Sequence, residues 1–183
     1  SKKILPIFGR PLKDHVETYN SRIAYPLHLC VSVLESTNCL SEEGLFRIAG
    51  SKKKVDTLTS AINVLRGEAI ISQYDSFVIA DTMKQYLRSL PEPLLTGSYR
   101  DEWLKLITAK TDPTLDAIRL AVDKLGEAEL NNLLYLLLFL NRYSLNERHN
   151  KMSTYNLAII FAPTLLPKNI INTTQNIGQS PQA

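Results

Sequence analysis

Arg47 lies in Glu43-Gly44-Leu45-Phe46-Arg47-Ile48-Ala49-Gly50, an apolar-flanked segment framed by two glycines. Glycine tolerates backbone conformations closed to other residues, so such a frame can hold a loop while one long cation projects from it. A cation presented in that way is suited to engage an anion. The same residue read as an ordinary surface arginine, its stem laid over apolar neighbours, needs no chemistry at all. Spacing alone leaves both readings open.

Other polar residues stand in costly places. Lys84 and Arg88 are four apart in a helical pattern, on the face opposite Ile79, Met83 and Leu90. Like charges at that spacing cost a few tenths of a kcal/mol in an isolated helix, and Asp81 one turn earlier offsets part of it. A solvated face is the simpler reading; a cationic surface awaiting an anionic partner is the sharper one. Lys52, Lys53 and Lys54 follow a capping Ser51, where the helix dipole prefers acids. Asn156 sits inside an apolar helical stretch, although asparagine competes there for backbone hydrogen bonds. It is either a satisfied buried amide or one that orients a neighbouring loop or a partner's backbone. Glu42 and Glu43 are adjacent, point to different sides and suit a turn or cap.

Nothing supplies a self-contained active site. There is no P-loop-type glycine-rich phosphate cradle, no G-x-S-x-G elbow and no H-E-x-x-H helix. Cys30 and Cys39 are the only cysteines, and with His15, His28 and His149 they make no spaced set of four metal ligands. They read as buried, reduced thiols. The net charge of +3 is too weak for a nucleic-acid binder but permits a modest cationic face.

The elements that must position these residues are helices. The chain has 183 residues, enough for one core without staples. Its 29 leucines against 7 valines and 7 glycines favour helix over sheet. Apolar spacing predicts helices over 12–19, from Pro26, from Ser51 through Leu65, from Ser76 to Pro91, and over 99–107. A further helix follows an Asp112-Pro113 cap, and another, over 153–162, ends at Pro163. The stretch 127–143 is apolar in nearly every direction and belongs in the middle of a bundle. Ala69-Ile70-Ile71 is strand-like but too short for a sheet. The expectation is an all-α helical bundle around that central helix, with a lead-in over 1–11 and a polar tail over 172–183. No run reaches the length of a membrane span, and Ser1-Lys2-Lys3 has neither an initiator methionine nor a signal region, so a cytoplasmic domain of a longer protein is expected. Asn172-Thr173-Thr174 matches a glycosylation acceptor without consequence in that compartment.

In order and together, these segments resemble the Rho GTPase-activating protein (RhoGAP) domain. Gly44-Leu-Phe-Arg47-Ile-Ala-Gly50 is similar to that family's G-x-F-R-x-x-G loop, and Lys84-x-x-Leu-Arg88-x-Leu-Pro-x-Pro-Leu94 to its K-x-x-L-R-x-L-P-x-P-L helix end. Asn150-Lys-Met-Ser-x-x-Asn156-Leu-Ala-x-x-Phe-Ala-Pro-Thr-Leu165 resembles its third block, with Ala162 where many members have glycine, and Phe8-Gly9-Arg10-Pro11-Leu12 its start. The resemblance spans about residues 8 to 168, with flanking residues most similar to the BAR-domain nadrin-type branch. It implies an all-helical, monomeric domain that binds Rho-family small GTPases of the Rho, Rac or Cdc42 type in the GTP form and accelerates hydrolysis. Arg47 would be the arginine finger, while Lys84, Arg88 and Asn156 would line the binding face and hold the finger loop. The domain would carry no cofactor of its own; GTP and Mg²⁺ belong to the partner. A binding-only module of the same fold, or an unrelated helical scaffold, are the alternatives.

Overall fold

The computed structural model describes residues 6–37, 39–95, 99–109 and 111–167; the polar tail and Asn172 lie outside them. Among the described residues ten α-helices follow one another: α1 (Leu12–Thr18), α2 (Tyr25–Ser36), α3 (Lys52–Asn63), α4 (Gly67–Ile70), α5 (Ser76–Ser89), α6 (Arg100–Thr108), α7 (Leu115–Val122), α8 (Glu127–Ser144), α9 (Glu147–Asn150) and α10 (Thr154–Leu165). Single turns of 3₁₀ helix occupy Cys39–Ser41 and Ile71–Gln73, and no strand occurs among the described residues. The fold is all-α, as the leucine-rich, glycine-poor composition implies.

The caps are built by short polar side chains. The Asp75 carboxylate accepts from the Val78 N–H at 2.9 Å to start α5, and the Ser153 hydroxyl accepts from the Asn156 N–H at 3.1 Å to start α10. α7 begins two residues later than Asp112-Pro113 implies: Thr114 is the cap, accepting from Ala117 N–H at 3.2 Å. Ser51 takes the cap position of α3, yet its side chain makes no capping bond. Leu65 lies past the end of α3 with φ +57°, and Ala69-Ile70-Ile71 forms helical turns instead of a strand. Pro163 sits inside α10, which continues to Leu165. A proline that near the helix end removes one late hydrogen bond, and burial of Phe161 and Leu165 against the core carries the turn past it.

α5 packs against α2, α3 and α10, while α8 packs against α1, α2 and α10. Leu27, Cys30, Leu34, Leu58, Ile62, Val78, Met83, Leu136 and Phe139 are sealed between them. α8 shares the centre with α5 and does not bury its whole circumference: Leu134, Leu137 and Leu138 stay 46, 43 and 58% exposed. Its neighbours cover one side, and there the interrupting Asn132 is fully satisfied, accepting from Ala24 N–H and donating to Arg22 and Ala128 carbonyls. Among the described residues no helix is long and apolar enough to cross a membrane. Both cysteines are buried and unpaired, and burial pushes their thiols up to about 12.

Candidate functional site

The segment between the two glycines changes character at Arg47. Gly44, Leu45 and Phe46 are buried, whereas Arg47, Ile48 and Ala49 are exposed. Gly44 has φ +74°, and its carbonyl accepts from the N–H groups of both Arg47 and Ile48 at 2.9 Å. Phe46 also adopts a left-handed backbone, φ +71°, which costs a side-chain-bearing residue about 1–2 kcal/mol. Its ring offsets that cost, packing edge-on against Phe161, Tyr143 and Phe139 at centroid distances of 5.2, 5.7 and 6.1 Å.

The stem of the loop hangs from α8 and α9. The Tyr143 hydroxyl donates to the Glu42 carbonyl at 2.7 Å and accepts from Leu45 N–H at 3.1 Å. Burial holds that phenol above its ordinary range, so it stays a neutral donor. Gly44 N–H donates to the Asn150 carbonyl at 2.9 Å. The Asn150 side chain is itself buried, donating to the carbonyls of Leu40 and Tyr143 at 2.9 and 2.6 Å and accepting from Met152 N–H at 2.8 Å. Ser76 donates its hydroxyl to the Glu42 carboxylate, which explains that acid structurally.

The tip is held from α5. Lys84 is only 7% exposed, so the solvated-face reading is wrong for it: its Nζ donates to the Phe46 carbonyl at 2.6 Å and pairs with Asp81 Oδ1 at 2.8 Å. An ammonium taken out of water needs such partners, and here it finds a carboxylate and a carbonyl. The other Asp81 oxygen accepts from Gly50 N–H at 2.7 Å. Gly50 is required for space: a Cβ there would stand 2.7 Å from the Val78 nitrogen of α5.

Arg47 itself is left open. Among the described residues its guanidinium has no hydrogen-bond or ion-pair partner. Arg88, one turn beyond Lys84, is exposed and donates from Nε to Thr164 Oγ1 of α10 at 3.3 Å. Asn156 is half-buried in the first turn of α10, not mid-helix, and its Nδ2 donates to the Lys151 carbonyl at a long 3.4 Å. So Lys84 is joined directly to the Arg47 loop. Asn156 meets it only through the Lys151–Asn150 backbone, and Arg88 ties α5 to α10.

Sequence reasoning missed Asn150, Tyr143 and the double role of Asp81. Asn150 carried a signal, an asparagine three residues before a serine cap, where a turn must be hydrogen-bonded. Tyr143 is the polar tip at the end of an apolar run. No cluster of three or more His, Cys, Asp or Glu side chains that could hold a metal occurs among the described residues.

Comparison with family models matches the RhoGAP domain over residues 24–170. The chain belongs to the RhoGAP family. This RhoGAP domain is 38% identical over 172 residues to Rho GTPase-activating protein 44 of Rattus norvegicus, covering 93% of this chain and 21% of that relative. It is 35% identical over 165 residues to SH3 domain-binding protein 1 of Homo sapiens, covering 87% of this chain and 23% of that protein. The chain thus spans about a fifth of the length of these curated relatives. Among solved structures, it superposes on human Rho GTPase activating protein 15 with a TM-score of 0.79 at 26% identity, covering 89% of this chain and 78% of that one. The BH domain from GRAF, the GTPase regulator associated with focal adhesion kinase, matches with a TM-score of 0.68 at 28% identity over 77% of each chain.

Proposed function

We propose that this RhoGAP domain binds a Rho-family small GTPase in its GTP form and inserts Arg47 as an arginine finger that accelerates hydrolysis. The observation that carries the reading is the Arg47 guanidinium, without a hydrogen-bond or ion-pair partner among the described residues, on a loop held by hydrogen bonds from α5, α8 and α9. Charge that develops on the γ-phosphoryl oxygens in the transition state is best met by a cation already in place, because no reorganisation is then required. The guanidinium fork bridges two oxygens as an ammonium cannot. In the Ras system, a different protein, such a finger contributes about 10³–10⁵ in rate, and at ~1.36 kcal/mol per decade that is about 4–7 kcal/mol of barrier.

Lys84 serves from inside, holding the loop, while Arg88 and Asn156 lie at the rim toward the partner. GTP and Mg²⁺ come with the partner, and the domain acts as a cytoplasmic monomer. The presence of Arg47 argues against a binding-only module, and the hydrolysis rate separates the two. Single-turnover hydrolysis by GTP-loaded Rho, Rac and Cdc42 tests the reading. Arg47→Ala should abolish stimulation while affinity for the GTP-loaded partner stays nearly intact, because the finger acts on charge that develops mainly in the transition state. Full stimulation by the variant would remove Arg47 from the catalytic role.

A further inference from the structure

Both ends of the exposed stretch Arg47-Ile48-Ala49 lead to one side chain. On its amino-terminal side, the Phe46 carbonyl is held by Lys84 Nζ at 2.6 Å, and that ammonium sits 2.8 Å from Asp81 Oδ1. On its carboxyl-terminal side, Gly50 N–H lies 2.7 Å from Asp81 Oδ2. The Asp81 side chain is 19% exposed, beneath the loop, and spends each oxygen on one end of it. The stem hydrogen bonds from Tyr143 and Asn150 act earlier in the chain, at Glu42, Gly44 and Leu45, and none of them reaches residues 47–50.

We infer that the Asp81 carboxylate is the positioning residue for Arg47, stapling the tip of the loop to α5. The inference rests on the activator reading above. Lys84 cannot do this alone. Without the carboxylate its ammonium would be buried on a single carbonyl, a poorly compensated charge that gains by turning to water. The Phe46 carbonyl would then lose its partner, and the left-handed Phe46 backbone would lose part of what offsets its strain. Asp81 also neutralises Lys84, so the unpaired cation offered at this loop is Arg47. Because the stem keeps its own bonds to α8 and α9, loss of Asp81 loosens the tip without unfolding the domain.

The test uses the whole chain with Asp81→Ala and Asp81→Asn. Amide hydrogen exchange at Arg47 to Gly50 reads loop order; single-turnover hydrolysis and affinity for the GTP-loaded partner read function. Asp81→Ala should raise exchange at Gly50 about tenfold or more and lower the stimulated rate by about tenfold to a hundredfold, with affinity within about threefold. Asp81→Asn keeps an oxygen for Gly50 N–H but not the charge for Lys84, and should recover part of both. Unchanged exchange and rate in Asp81→Ala would overturn the assignment. If the wild-type domain stimulates no GTPase on the panel, the activator reading fails, and exchange at Gly50 still decides whether Asp81 holds the loop.

Discussion

Gly50→Ala is the smallest change that should separate activation from binding. A methyl at that position would stand 2.7 Å from Val78 N, 2.8 Å from Val78 Cα and 2.9 Å from Phe77 C, all backbone atoms of α5. Carbon contacts are most favourable near ~3.5–4.0 Å, so the loop must retreat by on the order of 1 Å. The Gly50–Asp81 bond, 2.7 Å long, would then stretch beyond hydrogen-bonding range. A bond to a carboxylate contributes about 1.5–3 kcal/mol, which for a domain of this size corresponds to a fall in Tm of about 3–12 °C. Arg47 is three residues away on the same loop, and a displacement of about 1 Å at a catalytic group can cost about a hundredfold. Stimulated hydrolysis should therefore drop by about 10- to 100-fold, while Kd for the GTP-loaded partner changes by less than about threefold. Single-turnover rates at saturating domain, paired with affinity measurements and thermal melts, read all three quantities. Wild-type rate with an unchanged melt, or a loss confined to Kd, would refute the argument that Gly50 is needed to seat the 44–50 loop.

Lys84→Met should lower Tm and stimulated rate while leaving the salt dependence of partner binding unchanged, since the ammonium is spent on Phe46 and Asp81; a flattened salt slope would show that it faces the partner. Asn156→Ala and Asn156→Leu should both lower stimulation with less than about 1.5 kcal/mol of stability loss, because its single side-chain bond is long; denaturant melts and hydrolysis rates check it, and full activity of Asn156→Leu would make the amide structural. His15 is buried against the Tyr86 hydroxyl at 2.8 Å, and burial holds its pKa below the ordinary 6.5. The unfolded chain therefore takes up the proton first as pH falls, so this contribution is complete above about pH 6.5 and is lost on acidification. His15→Phe should flatten the decline of Tm between pH 7.5 and 5, and equal slopes in wild type and variant would refute the assignment.

The local features of this domain were legible in the chain. Helix existence follows from apolar spacing and capping residues, both read within a dozen neighbours, and the glycine-framed arginine is one contiguous loop. That is why the all-α fold could be read directly, while spacing alone left Arg47 open between an ordinary surface arginine and a cation held out on a loop. Lys84 could not be assigned a side. Spacing places it opposite the α5 core stripe, but whether that face meets water or the 44–50 loop depends on a contact spanning 38 residues. The same holds for Asp81 on Gly50 and Tyr143 on Leu45, which join positions 31 and 98 residues apart. Pro163 stays inside α10 because core burial outweighs a local penalty, and Leu134, Leu137 and Leu138 stay exposed because periodicity records which residues are apolar, not how many neighbours arrive to cover them. Residue type and local pattern decided which group could do the chemistry; the packing of α5, α8 and α9 around one loop decided where that group points.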